Sequence, residues 1–294
     1  MADVLVAQCL NGITIGLIFA LVALGLTIVL GLMGVLNFAH GSFYMLGGYV
    51  TYTVFTTVGS FWLGLVAAML VSGVVGVLLY LTIVRPLSQR SPLEALLALV
   101  GVSIIFLQLA NTIWGPDPKL LPVPLGHVRI GMFGLDIHYP VYFLAAMGLS
   151  TVVLASMALL LRHTDIGIRC LAAIHDRQVA SCMGVNVDRV SAVMFTIGMV
   201  VAGLAGGLAG PVFSVYPNMG IELIGMIFVI TIVGGMGSIG GTVIAATIIA
   251  MTKSISSIYI SGNLADILAF VVLLAILLLR PRGIMGIASV MDGR

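Results

Sequence analysis

Long apolar runs alternate with short polar breaks along this chain, and the spacing predicts a bundle of membrane helices. No charged residue falls between Asp3 and Arg85. That interval holds three apolar runs, Val4 to Leu32, Ser42 to Val58 and Phe61 to Val84. Six more follow: Leu93 to Ile113, Pro140 to Leu161, Val190 to Phe213, Ile221 to Val233, Gly241 to Tyr259 and Leu264 to Leu279. A helix needs about 20 apolar residues to cross the hydrocarbon core. The second and seventh runs are short, so re-entrant or broken helices fit them as well. The pattern predicts an all-α polytopic membrane protein of eight to nine spans, with residues 1–294 forming one transmembrane unit.

Composition strengthens this reading. Hydrophobic residues make up 61% of the 294 positions and charged residues only 7%, whereas soluble domains carry about 25% charge. Too little charge is available to cover a water-facing surface, so lipid is the expected solvent. The first Lys or Arg is Arg85. A signal peptide opens on a basic stretch, so the first run is read as a retained span. Three cysteines, Cys9, Cys170 and Cys182, form no disulfide framework. The net charge of +2 gives no sign of a nucleic-acid partner.

Charge placement predicts orientation. Arg85, Arg90, Arg162, Arg169, Arg177, Arg189, Arg280, Arg282 and Arg294 fall on one side of the alternating spans, and Lys119 and Arg129 on the other. By the positive-inside rule the arginine-rich side is cytoplasmic. The N-terminus and the connection 114–139 are then outside, and the C-terminus inside.

Several segments interrupt the apolar pattern. "GLMGVLNFAHGSFYMLGGYV", Gly31 to Val50, places Asn37, His40 and Gly41 between apolar runs. Irregular backbone at membrane depth survives only when buried in protein or lining a cavity. Asn37 to Gly41 is therefore read as a helix break that shapes the pathway or its gate. Asn37 and His40 would satisfy freed backbone groups there. A second break lies at Gly234, Gly235, Gly237 and Ser238. Gly235 to Gly240 fits G-x-G-x-x-G literally, but its flanks are membrane runs and no acid follows at dinucleotide spacing. These glycines either let backbones approach or unwind a helix at a cavity. The segment before each break is an apolar helix, an echo that two internal repeats would explain. Gly203/Gly207 and Gly206/Gly210 are small-x-x-x-small pairs, read as a packing face.

The connection 162–190 is the longest charged stretch. About Gly167 to Met183 reads as one short helix with an apolar stripe at Ile168, Leu171, Ala172, Val179 and Met183. Thr164 and Asp165 are candidate N-caps, and Gly184 can end the helix in a left-handed turn. Such a helix either packs on its own membrane domain or docks a partner. His163, Cys170, His175 and Cys182 lack the close pairs of a structural zinc site, so no metal is expected. Glu94, Glu222, Lys253 and Asp266 lie within or at the ends of spans, where ionisable groups are candidates for function. Lys253 and Asp266 could pair across a hairpin. Neither lysine, Lys119 or Lys253, follows a glycine, so the chain has no Walker-type nucleotide site. No nucleophile–base order or paired carboxylate suggests an enzyme.

Four ordered stretches carry a family resemblance over nearly the whole chain. "GLTIVLGLMGVLNFAHGSFYMLGGYV" closely resembles the N-terminal signature of LivH-type permease subunits of branched-chain amino acid ABC importers. "GIRCLAAIHDRQVASCMGVNVDRV" resembles their coupling segment. "IVGGMGSIGGTV" resembles their second glycine-rich motif, and "DILAFVVLLAILLLRPRGIMG" their C-terminal helix and Arg-Pro-x-Gly ending.

The resemblance implies an importer permease in the bacterial inner membrane. Its partners would be a second, LivM-like permease, two cytoplasmic ATPases and a periplasmic substrate-binding protein. ATP and Mg would be used by those ATPases, with no cofactor bound by this chain. Residues from about Ile166 to Gly184, including Arg169, Ala173, Asp176, Ala180 and Gly184, would couple to an ATPase. Two positions depart from the family pattern. Gly240 stands where a proline is common, and Lys253 where many members carry glutamate. Lys253 is thus a candidate charge partner for substrate, and an anion lacking an amine would suit it better than a zwitterion. Substrates of the family's relatives include branched-chain amino acids, urea, short amides and carboxylates. A stand-alone secondary transporter and a purely structural membrane subunit are the competing readings.

Overall fold

The computed structural model describes residues 2–34, 36–88, 90–132, 135–235, 237–280 and 283–285. In chain order the elements are α1 (Ala2–Met33), α2 (Ala39–Val58) and α3 (Phe61–Leu79), which runs through a π-turn (Tyr80–Val84) into α4 (Arg85–Leu87). Then come α5 (Pro92–Trp114), strands β1 (His127–Met132) and β2 (Leu135–Pro140), and α6 (Val141–His163). The short α7 (Asp165–His175) and α8 (Arg177–Cys182) precede α9 (Val187–Phe213), α10 (Met219–Gly234), α11 (Ile239–Ser256) and α12 (Gly262–Leu279).

Each predicted run is a helix, with ends within three residues of the expected ones. Among the described residues nine apolar helices result, six of them long and apolar enough to cross a membrane. At about 1.5 Å per residue the 16 residues of α10 reach only ~24 Å. That falls short of the ~30 Å hydrocarbon core.

The first helix is the axis of the bundle. It has 32 residues, and Ile18 to Leu24 are almost fully buried. A helix that is apolar all round must be surrounded by other helices, and α1 packs on α11, α9, α6 and α10. By contrast α3, α5 and α6 expose Leu70, Val74, Leu97, Ile104 and Val152 outward. In water such a surface would be a large liability; in lipid it is the expected outer wall.

Small residues set the tightest crossings. A Cβ on Gly47 of α2 would overlap the carbonyl oxygen of Gly203 on α9, and one on Gly206 would overlap that of Tyr44. Gly207 packs on Thr51 and Leu65, and Gly210 on Leu121. The four glycines of the predicted pairs therefore pack against α2, α3 and the connection that follows α5.

One expectation is corrected here, and one connection gains structure. The connection 114–139 carries the antiparallel hairpin β1–β2, paired from His127↔Pro140 to Met132↔Leu135. It also bonds to the α9–α10 connection through Lys119 and Val215, at 2.7 and 2.9 Å. The single helix expected over about 167–183 is two helices, broken at Asp176. This residue is extended (φ −154°, ψ 107°), and its carboxylate accepts from the amides of Gln178 and Val179, both at 2.9 Å. A carboxylate that caps a new N-terminus interrupts the helix before it. Thr164 caps α7 through the amide of Gly167, and Gly184 follows α8 with φ +83°, as expected.

The spans alternate between two ends of the bundle. Arg85, Arg162, Arg169, Arg177 and Arg189 share one end, where Arg85 pairs with Asp188 at 2.9 Å. The hairpin and Lys119 mark the other. Arg282 and Arg294 lie outside the described residues, as does Met236 of the second glycine motif.

Candidate functional site

The two predicted breaks meet at the arginine-rich end. The first is shifted from its expected place. Gly34, at φ +66°, ends α1 with its amide bonded to the Leu30 carbonyl at 2.8 Å, and α2 starts at Ala39. Among the described residues the irregular stretch is thus Gly34 and 36–38. His40 and Gly41 belong to the first turn of α2. The glycine nearest the end of α1 takes the left-handed turn, so the break comes earlier than the polar residues suggest.

The polar residues of this break have different fates. His40 is fully buried and bonds through Nε2 to the Val22 carbonyl at 2.9 Å. A carbonyl only accepts, so Nε2 carries the proton. The bond ties α2 to the middle of α1, beside Gly25. Gly41 packs on the backbone of Gly220 at the start of α10. Asn37 was expected to satisfy freed backbone groups and does not. It is 1% exposed, and neither amide atom has a hydrogen-bond partner among the described residues. It faces a cavity of about 20 Å³ whose walls include Met33, Leu99 and Phe195. That space suffices for about one water.

The second break joins α10 to α11. Gly234 closes α10, with no room for a side chain beside Thr242. Gly235 and Gly237 sit at φ +98° and +81°, and Ser238 caps α11 by accepting from the Gly241 amide at 3.2 Å. Two supports of this break are illegible in the motif itself. The amide of Ile284 donates to the Val233 carbonyl at 2.7 Å, so the chain after α12 folds back onto the end of α10. The buried hydroxyl of Thr27 bonds to those of Thr231 and Thr242, at 3.3 and 3.2 Å, and links α1 to α10 and α11. Isolated threonines in apolar runs gave no sign of this cluster.

The helix pair α7–α8 touches both break regions. Ile174 lies 3.6 Å from the position of a Cβ on Gly31 and 3.5 Å from one on Gly237. The predicted coupling residues divide between two faces. Ala173 and Ala180 are buried with Gly167 and Cys170, while Arg169, Asp176 and Gly184 are exposed. Of the two readings left open for the apolar stripe, packing on its own domain does not hold for three of its members: Ile168, Val179 and Met183 are 54%, 57% and 80% exposed, so they point away from the membrane domain. Small residues form the packed face because α6 and α1 approach closely there; a Cβ on Gly167 would overlap the Leu160 carbonyl.

Toward the hairpin end lies a second cavity of about 250 Å³. Lys253 and Asp266 form an ion pair across it at 2.6 Å, linking α11 to α12. Glu222 of α10 accepts a hydrogen bond from the Tyr216 hydroxyl. Phe19, Phe213, Phe270 and Leu223 form its apolar wall. This is the one place among the described residues where three of the ionisable groups singled out in the spans, Glu222, Lys253 and Asp266, line a common space. The fourth, Glu94, lies at the opposite end and pairs with Arg90 at 3.6 Å. No cluster of three or more potential metal ligands occurs among the described residues.

Known proteins are similar in sequence to this chain over most of its length. The family model described as branched-chain amino acid transport system / permease component matches residues 8–277. The high-affinity branched-chain amino acid transport system permease protein LivH of Escherichia coli (strain K12) is 31% identical over 291 residues, covering 95% of this chain and 94% of its own. The corresponding protein BraD of Pseudomonas aeruginosa is 30% identical, covering 95% of each chain. LivM of Salmonella typhimurium is 28% identical, over 92% of this chain and 68% of its own. No solved structure matches. The family model spans most of the chain and relatives of 30% identity or more cover it almost fully, so this multi-pass membrane protein belongs to the branched-chain amino acid transport permease family.

Proposed function

We propose that this chain is the permease subunit of a binding-protein-dependent ABC importer and forms half of its translocation pathway. A second, LivM-like permease supplies the other half; the chain's similarity to both LivH and LivM supports such a pair. The substrate is a branched-chain amino acid or a related small polar or carboxylate solute. Two ATPases, with their ATP and Mg, dock at the arginine-rich end. A periplasmic binding protein delivers substrate at the hairpin end. The subunit itself performs no chemistry. It lies in a bacterial inner membrane, N-terminus outside and C-terminus in the cytoplasm, in keeping with the arginine placement.

One observation carries the ATPase reading. Helices α7 and α8 turn Ile168, Val179 and Met183 outward, while Ile174 reaches both glycine breaks. An apolar face with no cover of its own suits a partner, and the inner contact gives that partner a lever on the membrane helices. ATP and binding protein would then bias the equilibrium between inward- and outward-facing states. The test is uptake of labelled leucine into liposomes containing the full complex. Uptake that needs both ATP inside the ATPase compartment and the binding protein supports the reading. Uptake by this chain alone, driven by an ion gradient, would establish a secondary transporter instead.

A further inference from the structure

We propose that the Lys253–Asp266 pair and Glu222 form a recognition station for the two charged ends of a zwitterionic solute. The inference rests on the transport reading above and adds where, and by which groups, the permease itself recognises its cargo.

The cavity lies toward the hairpin end. Lys253 is 14 residues beyond the start of α11 at Ile239, or about 21 Å from the second glycine break. Asp266 is the fifth residue of α12. The two side chains are 32% and 40% exposed while Asp266 Oδ1, the atom that pairs, is itself buried, so the pair is closed at its contact and open at its edge. At about 250 Å³ the space far exceeds what one water needs.

Its chemistry has two halves. The apolar and aromatic part of the lining is Phe19, Phe213 and Phe270 with Leu223 and Met226. The charged part is one ammonium and two carboxylates, those of Asp266 and Glu222. Ionisable groups in a membrane bundle are costly and are kept where they serve a pathway. Small-molecule sites combine such an apolar lining with a few convergent polar groups.

Lys253 taken alone favours an anion. Its neighbours reverse that preference. An anion entering here meets two carboxylates, and its only cationic partner is already engaged by Asp266. A zwitterion can exchange partners. Its carboxylate takes the Lys253 ammonium, and its own ammonium takes the Asp266 and Glu222 carboxylates. One ion pair becomes at least two, no group is left bare, and the side chain meets the aromatic lining. Uncharged amides and urea gain nothing from opening the pair.

The decisive variant is K253M/D266L in the complete importer. A buried or half-buried ion pair can be exchanged for an apolar pair without loss of fold, so a structural role predicts normal uptake. A recognition role predicts that the complex assembles, as judged by size-exclusion chromatography, and that amino-acid uptake falls at least tenfold. Uptake within twofold of the native complex overturns the proposal. Competition provides the second arm. Excess des-amino carboxylate of the same carbon skeleton should compete at least tenfold less well than the amino acid; equal or better competition by the anion also overturns it. If the native complex itself shows no ATP- and binding-protein-dependent uptake, the importer reading fails, and that failure is seen before any variant is made.

Discussion

Ile174 on α7 reaches the backbone of Gly237, its Cγ2 3.5 Å from where a Cβ on that glycine would sit. No other side chain approaches that point within 4 Å among the described residues. A force applied to α7 therefore has a path to the second break through this side chain, which also touches the region of Gly31. Ile174→Ala removes the tooth and leaves the glycines alone. Transport per ATP hydrolysed should fall severalfold in the reconstituted complex while hydrolysis continues. A native ratio of transport to hydrolysis would show that motion passes by another route.

Asp176 provides the second test of the same lever. Its carboxylate caps α8 through two amides, and loss of such a cap costs about 1 kcal/mol. Asp176→Ala should raise hydrogen exchange in 177–182 and leave the long helices protected. Asp176→Asn, which still accepts through its oxygen, should stay near native. Asp176→Lys should uncouple hydrolysis from transport more than Asp176→Ala does, because a cation at a helix N-terminus opposes the dipole.

The outline of the bundle was legible because lipid imposes length and composition on every span. Nine runs of apolar residues became nine helices for that reason. Capping residues were legible too, since Thr164 and Gly184 act within their own turns. Relationships between distant segments were not. The bond from His40 to Val22, the Thr27–Thr231–Thr242 cluster and the return of Ile284 to Val233 join residues 18 to 215 positions apart. The apolar stripe of Ile168, Val179 and Met183 was legible but its direction was not, because a stripe on a charged connection fits packing on its own domain and docking of a partner alike. The Lys253–Asp266 pair was foreseen as one arrangement of two charges. Their common cavity with Glu222 depends on helix depth, which sequence does not fix.

Glycine contacts divide the chain into intolerant and tolerant positions. A Cβ on Gly47 would overlap the Gly203 carbonyl, whereas Gly101 in α5 has no neighbour within 4 Å of its Cβ position. Gly47→Ala should separate α2 from α9 and lower the thermal midpoint of the purified protein sharply. Gly101→Ala should leave it unchanged or raise it, since glycine costs a helix interior ~1 kcal/mol relative to alanine. Equal effects at the two sites would contradict the crossing geometry.

Cysteine reactivity should follow burial on the α7–α8 end. Burial pushes the Cys170 thiol up from its ordinary 9.0 to about 12, and Cys182 is exposed. Since the thiolate is the nucleophile, a water-soluble maleimide near pH 8 should label Cys182 and spare Cys170 in the folded protein. The raised value also has a stability consequence. Above pH 9 the unfolded chain loses the thiol proton and the folded chain keeps it, so the unfolded state is favoured progressively from pH 9 to about 12. Cys170→Ala should remove that part of the alkaline sensitivity, read from thermal midpoints across this range.

Asn37 is the least satisfied buried side chain beside a break. Both of its amide atoms lack partners among the described residues, and a buried polar group left bare costs about 1–3 kcal/mol. The small adjoining cavity holds at most a water or so. With that cavity dry, the bare amide would weaken the conformation it belongs to. Asn37→Leu replaces the amide with an apolar group of similar size against Met33, Leu99 and Phe195. It should raise the thermal midpoint of the purified subunit. In a transporter that alternates between two states, stabilising one of them lengthens its lifetime, so turnover should slow severalfold even as stability rises. A fall in the midpoint would mean that the amide is well bonded in this state, by ordered water or otherwise. A raised midpoint with native turnover would place Asn37 outside the moving part of the first break.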